Sequence, residues 1–564
     1  MFKPSNSWSF TLVLALLAIL GLFVSAIVIW IVSYDSLIYH VLSVTGKFHL
    51  EDALRERFFT PEKFCWLRTL LPFLAIATGI LVFRFRKKIA AIHIFRHYYA
   101  DICRAWKNLQ PSQKSEVFLF RLVFVYITAK ALYYIISTDI QYDEAWSFNY
   151  YTANPWYLTP FIYSNYPLHE LLTHLTKWLP FPMYVNLRLP VLFTGMAWIF
   201  ACYCCTARLW GKKAGLLAMA ILGTLPPAAL YMLQAKGFLM VALFTILLTT
   251  VLHLVYIHGW NDTRRRWLVL SVFLGLWSSP VFILPLVIQL LTALMLFSFP
   301  GKRTCLKELL IWSFAGILAG MCLYLPVLAG TGIDPLIHAA TLHGKSPAHH
   351  TMWWHIKFIS LWVTGWSGGW VLMGIVLLSL LGMFRGKFKF IGICGVLSLF
   401  SIVAVPFITG SYLFPRVWIF LLVPVGWALV YVMLPVLRNL KGVFALIIIF
   451  LILNTYSYAV YVERTWSYPW DHTSAEISKL FLKKGVRTYY TDFDYILPIV
   501  EFNYRLRKKK IQAYISNESS MQFREKGNLS GIDAIVDGEN TDLAIPAGFV
   551  LAYRDTIARV YWRP

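Results

Sequence analysis

Two adjacent acids, Asp143 and Glu144, stand in the stretch Gln141-Tyr-Asp-Glu-Ala-Trp-Ser-Phe-Asn-Tyr150, directly after an apolar run. A carboxylate beside a bilayer is costly to keep ionised, so an acid pair there marks a functional site unless a structural donor meets it. That makes Asp143, and then Glu144, candidate catalytic residues. Neighbours in sequence need not face the same way. The surrounding loop, 137–186, adds Asp139, Glu170, His169 and His174 to a run of aromatics that includes Tyr142, Trp146, Tyr150 and Tyr166. Rings at a water–lipid boundary are common anchors. Tyr142, Tyr166 and His169 are the candidate substrate contacts. Three cations, Arg188, Lys236 and Arg416, lie at predicted helix ends or in a short turn on the same side. They either snorkel to the interface or grip an anion, for which Arg is better suited through its bidentate fork.

The elements that must position these groups are membrane helices. Of the 564 residues, 59% are hydrophobic and only 14% charged, with a mean hydropathy of +0.62. One soluble core cannot hide that much apolar surface, so the bilayer is the solvent. The net charge of +24 does not signal nucleic acid, because the cations are not gathered on a polar domain with interleaved aromatics. They sit between apolar runs, as Arg84-Phe-Arg-Lys-Lys88, Arg264–Arg266, Lys302-Arg303 with Lys307, Arg385-Gly-Lys-Phe-Lys389, and Arg438 with Lys441. That is the pattern of cytoplasmic loops, so membrane lipids are the expected partners and no nucleic acid is.

At roughly 20 apolar residues per crossing, spans fall near 9–33, 67–83, 117–136, 187–206, 214–232, 237–257, 267–279, 281–298, 308–328, 370–385, 390–409, 416–436 and 443–461. The expectation is an all-α polytopic membrane protein of about 13 transmembrane helices. The first run is long and lacks a clear small-residue cleavage site, which reads as a retained anchor rather than a leader. Basic flanks on 267–298 require two passes, and Ser278-Ser-Pro280 supplies the turn. This threading places the N-terminus in the cytoplasm and makes 137–186, the turn at Lys236, 329–369 and 410–415 the outer segments.

From about 462 the composition becomes polar and mixed, with short β-like runs, so a small extracytoplasmic α/β domain is expected over 462–564. Residues 1–116 read as an N-terminal hairpin with a basic cytoplasmic loop, and 117–461 as the membrane core. Segment 329–369 gathers Asp334, His338, His343, His349, His350 and His355. Imidazole and carboxylate suit a divalent metal, yet no ligand spacing is diagnostic; the cofactor stays open and the sequence requires none. The eight cysteines lack zinc spacing and read as packing residues.

In order along the chain, Asp143-Glu-Ala145, Asn165-Tyr-Pro-Leu-His-Glu-Leu-Leu172, Leu187-Arg-Leu-Pro190, Gly211-Lys-Lys-Ala-Gly215, Gln234-Ala-Lys-Gly-Phe238 and Phe414-Pro-Arg416 resemble the successive signatures of GT-C glycosyltransferases. The group most similar is that of the protein O-mannosyltransferases and aminoarabinose transferases, over roughly 117–461. The resemblance implies a GT-C-like bundle in the plasma (inner) membrane and inverting transfer of a sugar from a polyprenyl-phosphate donor. The acceptor would be a lipid, glycan or protein at the outer, periplasmic face. It implies Asp143 as base, with Lys236, Arg188 and Arg416 holding the donor phosphate. Lys236 replaces the family's usual Arg, Tyr166-Pro167 lacks a second Pro, and the N-terminal hairpin is an addition. Two other readings stay open: a transporter or flippase of lipid-linked glycan, and an envelope assembly protein that kept the fold without activity.

Overall fold

The computed structural model describes residues 26–27, 29–31, 33–45, 55, 60–85, 91–154, 166–299, 302–331, 351–410, 412–464, 468–491, 493–515, 531–538, 545 and 548–564. Most of the expected first span, Asp334 and the histidines from His338 to His350 lie outside them.

Helices α1 (Tyr34–Thr45), α2 (Pro61–Phe85) and α3 (Ala91–Leu109) precede the core. There follow α4 (Lys114–Ser137), α5 (Tyr142–Ser147), α6 (Pro167–Thr176), α7 (Met183–Trp210), α8 (Lys212–Thr224), α9 (Pro226–Tyr231), α10 (Phe238–His258), α11 (Asp262–Ser278) and α12 (Ile283–Phe297). The membrane part continues as α13 (Arg303–Thr331), α14 (Met352–Thr364), α15 (Gly369–Gly382), α16 (Lys389–Thr409), α17 (Leu422–Met433) and α18 (Leu440–Arg464). Among the described residues, 7 helical stretches are long and apolar enough to cross a membrane, and the bent pair α14–α15 makes an eighth if counted as one span. The protein is a multi-pass membrane protein. Its central helix, α10, buries Thr245, Thr249 and Thr250, whose hydroxyls each donate to the carbonyl four residues back at 2.7 Å. Side-chain polarity is thereby satisfied within the helix itself.

Two stretches differ from expectation. The single span placed at 214–232 is the pair α8 and α9, of 13 and 6 residues. Leu225 leaves the helical region at ψ 136°, and Pro226 and Pro227 open α9, where the missing N–H groups have no helical partner to lose. α8 is buried against α7, α17 and α18, and α9 against α7, α14 and α18, so their apolarity is that of a protein core. The outer segment 329–369 is helical over α14, which meets α15 at 85°. Gly365 makes that corner at φ 71°, and a Cβ there would stand 2.8 Å from Pro226 Cγ.

Basic loops gather at one end of α10. Arg265 holds Glu308 with two bonds of 2.6 and 2.8 Å, Arg266 holds Asp101 at 2.7 Å, and Lys302 Nζ donates to the Tyr256 carbonyl at 2.6 Å. The 21 residues of α10 put these loops roughly 30 Å from Lys236 at its other end.

After α18 come α19 (Tyr468–Lys484), β1 (Thr488–Thr491), α20 (Leu497–Leu506), β2 (Gln512–Ile515), β3 (Ala534–Gly538), β4 (Val550–Arg554) and β5 (Ala558–Trp562). The 5 strands lie in the order β2-β1-β3-β5-β4. β1 is parallel to β2 and β3, whereas β5 is antiparallel to β3 and β4. Helix α20 makes the crossover from β1 to β2. Ile477 and Phe481 of α19 and Val500 of α20 pack with Tyr489, Val536 and Val560 of the sheet.

Candidate active site

Helix α5 carries both acids, and they face opposite ways. Gln141 caps it in extended conformation, and its amide donates to Glu144 Oε2 at 3.0 Å, half of a capping box. From α7, Arg188 grips the same carboxylate through Nε to Oε1 at 2.9 Å and Nη2 to Oε2 at 2.6 Å. The Ala235 amide adds a bond of 2.8 Å to Oε1. The other guanidinium protons reach the carbonyls of Ile135, Thr138 and Asp139 and the Thr138 hydroxyl, at 2.7–3.0 Å. Both side chains are wholly buried, so removing one partner costs about 3–5 kcal/mol. No donor of Arg188 is left over for a phosphate. The geometry makes Glu144 and Arg188 a clasp joining α4, α5, α7 and the turn before α10.

Asp143, on the other side of α5, has a side chain 43% exposed. Its Oδ2 accepts from Lys236 Nζ and lies 3.8 Å from Arg416 Nη1. Lys236 is nearly buried in a turn closed by its own amide on the Gln234 carbonyl at 2.6 Å. Gln234 Nε2 donates to Gln141 Oε1 at 2.7 Å, which ties the turn to the start of α5. At Gly237 a Cβ would meet the Ser278 carbonyl at 2.9 Å, so α10 can approach only with glycine there. Arg416 opens the short 3₁₀ helix Pro415–Leu421 before α17, its guanidinium 4.4 Å from the Phe414 ring and 5.9 Å from that of Phe238. Tyr166 meets the same Phe238 edge-on at 4.8 Å, and Tyr231 packs on it at 5.0 Å. The structure thus brings Asp143, Lys236 and Arg416 together, with Tyr166 on the Phe238 ring beside Arg416, and turns Glu144 and Arg188 to the buried side of α5.

Desolvation pushes the Asp143 carboxyl up, but the charges of Lys236 and Arg416 and the lysine hydrogen bond outweigh it and hold the carboxyl below its ordinary value. Desolvation also lowers the Lys236 ammonium, an effect that Asp143 opposes and Arg416 reinforces. Two cations face one carboxylate, leaving room for a further negative charge.

His169 is buried, bonded to the backbone of Ala235, and burial pushes it down to about 3; its Nδ1 has no partner among the described residues. It supports the lysine turn from behind and does not open onto it. Glu170, also buried, is pushed up to about 8 by burial against bonds from Ser147 and Thr152. Tyr142 stacks on Tyr495 at 4.6 Å, and its amide donates to Asp471 Oδ1 at 2.9 Å. Just after α5, Asn149 donates to the Pro498 carbonyl at 2.9 Å, and Phe148 meets Phe502 at 4.9 Å. Sequence reading missed these contacts from α19 and α20, since more than 300 residues separate the partners and each is an ordinary residue of its own helix.

No group of three or more His, Cys, Asp or Glu that could hold a metal occurs among the described residues. His355 is buried against Tyr412 and Trp418, with rings 5.0 and 6.1 Å away.

The described residues form a helical membrane bundle whose Asp143–Lys236–Arg416 cluster lies at the end of α10 away from the basic loops. The chain shares its fold with ArnT from Cupriavidus metallidurans bound to undecaprenyl phosphate, at TM-score 0.56 and 13% identity over 80% of this chain and 99% of that one. The apo ArnT structure matches at TM-score 0.56 and 12% identity over 78% and 97%. No protein-family model and no curated protein matches the sequence.

Proposed function

We propose that the protein is a membrane glycosyltransferase that moves a sugar from a polyprenyl-phosphate donor to an acceptor hydroxyl at the outer face of the membrane. The observation that carries this is the Asp143–Lys236–Arg416 cluster, a carboxylate set against two cations with the Asp143 and Arg416 side chains partly exposed. Its position roughly 30 Å from the basic loops supports an extracytoplasmic active site, with the C-terminal sheet forming a small α/β domain on that side. The fold shared with an ArnT that was crystallised with undecaprenyl phosphate supports a lipid-phosphate donor.

In the reaction, the acceptor oxygen attacks the anomeric carbon while its proton passes to the Asp143 carboxylate. The bond from the anomeric carbon to the phosphate oxygen breaks, and its electron pair stays on the lipid phosphate. Lys236 and Arg416 hold the charge that develops there, the preorganised electrostatics expected at a leaving anion. Before the donor arrives, Asp143 occupies the cations; the arriving phosphate takes its place and frees the carboxylate to act as base. An apolar cavity of about 330 Å³ begins two residues beyond Tyr166 and Phe238, between Leu168, Leu172, Phe193, Met240 and Phe244, and accommodates part of the lipid chain.

Radiolabelled polyprenyl-phosphate sugars, incubated with membranes bearing wild type or Asp143→Asn, test this reading. Transfer by wild type should fall about 10²- to 10⁴-fold in the variant, the worth of a positioned base. Equal transfer by both removes Asp143 from the mechanism, and lipid movement without a glycosidic bond makes the protein a transporter.

A further inference from the structure

The proposed base sits on a helix of only 6 residues, too short to hold itself in water. Its first amides have no intrahelical acceptor. Glu144, on α5 itself and held by Arg188 of α7, takes that of Gln141, and Asp471 takes that of Tyr142 from α19. Asp471 is buried and also accepts from the Tyr495 hydroxyl at 2.9 Å. Tyr495 in turn stacks on Tyr142, so one carboxylate fixes both the backbone and the ring next to Asp143. The neighbouring His472 lies 3.0 Å from Asp139, which extends the attachment to the residues just before α5.

We infer that Asp471 is a positioning residue for Asp143, and that the C-terminal unit is one wall of the active site rather than an appendage. The clasp of Glu144 and Arg188 holds α5 from the membrane side, and Asp471 holds it from the aqueous side. The inference rests on the proposed role of Asp143 for its effect on rate, and on geometry alone for its effect on α5.

Asp471→Ala in the full chain should lower kcat for sugar transfer about 10- to 100-fold, the worth of hydrogen bonds to a buried charge. The KM for donor should stay unchanged, because Lys236 and Arg416 are untouched. Asp471→Asn keeps an acceptor oxygen for the Tyr142 amide and should restore most of the rate. Hydrogen exchange read by mass spectrometry should speed up over 139–149 in Asp471→Ala while 488–515 stays protected. Should Asp471→Ala unfold the C-terminal unit, Tyr142→Pro provides the same test from the other partner. It removes the amide proton, along with the ring, at a position where proline fits, after a residue already extended at φ −93° and ψ 157°. Compared with Tyr142→Ala, which loses the same ring but keeps the amide, it should lose a further 10- to 100-fold by the same reckoning. Unchanged exchange over 139–149 in Asp471→Ala, equal rates for Tyr142→Pro and Tyr142→Ala, or an Asn variant as poor as Ala overturns the inference. Absence of transfer in wild type overturns the proposed function and leaves the exchange result to decide this one.

Discussion

Replacing Arg188 with Met separates two roles for the same residue. As a phosphate ligand, Arg188 would contribute to donor binding and little to stability. As the clasp around Glu144, it neutralises a wholly buried carboxylate and caps the carbonyls of Ile135, Thr138 and Asp139 at the end of α4. Breaking a buried ion pair from one side costs about 3–5 kcal/mol. Unpaired buried carbonyls add about 1–3 kcal/mol each where water cannot reach them. A loss of that size is comparable with the whole of the roughly 5–15 kcal/mol that typically stabilises a domain. Arg188→Met is therefore expected to melt far below wild type in detergent, followed by tryptophan fluorescence. Arg188→Lys, which keeps the charge but loses the fork, should fall in between. Donor KM measured on the surviving folded fraction should move little. An Arg188→Met protein as stable as wild type, with donor KM raised tenfold or more, would return Arg188 to the phosphate and refute the clasp.

Three further outcomes follow from the charges around α5. Lys236→Met removes the main charge holding the Asp143 carboxyl low, so the acid limb of the pH–rate profile should move to higher pH; an unmoved limb would deny that the pair titrates together. Arg416→Met should raise the donor KM and shift the same limb less, given its separation of 3.8 Å, and a kcat-only effect would speak against phosphate contact. Glu170 binds its proton in the fold up to about 8, whereas the unfolded chain releases it near 4.5, so folded-state stability should fall as pH rises between those values, by about 1.4 kcal/mol per unit. Glu170→Gln should lack that slope in melting measured from pH 5 to 8, and identical slopes would contradict it.

What the sequence disclosed follows from what each residue depends on. Asp143, Lys236 and Arg416 were legible because charge at the end of an apolar run is expensive and therefore conspicuous, whatever the packing. Glu144 and Arg188 were equally conspicuous, yet their direction was not, since a one-residue step along α5 turns a side chain by about 100° toward the protein interior. The 214–232 stretch reads as a span because apolarity alone does not distinguish lipid from protein as its surroundings; the Pro226-Pro227 pair was the available sign of a break. Asp471 and Tyr495 carried no such mark, because their contacts with Tyr142 form only once α19 and the sheet fold back over α5.

The decisive experiment is a structure of the protein with a non-hydrolysable polyprenyl-phosphate sugar bound. The phosphate should lie within hydrogen-bonding reach of Lys236 Nζ and the Arg416 guanidinium, with Asp143 displaced from both and turned toward the acceptor side and the Arg188–Glu144 pair unbroken. A phosphate bound at the basic loops, or Asp143 still paired with Lys236 while donor occupies another site, would contradict it.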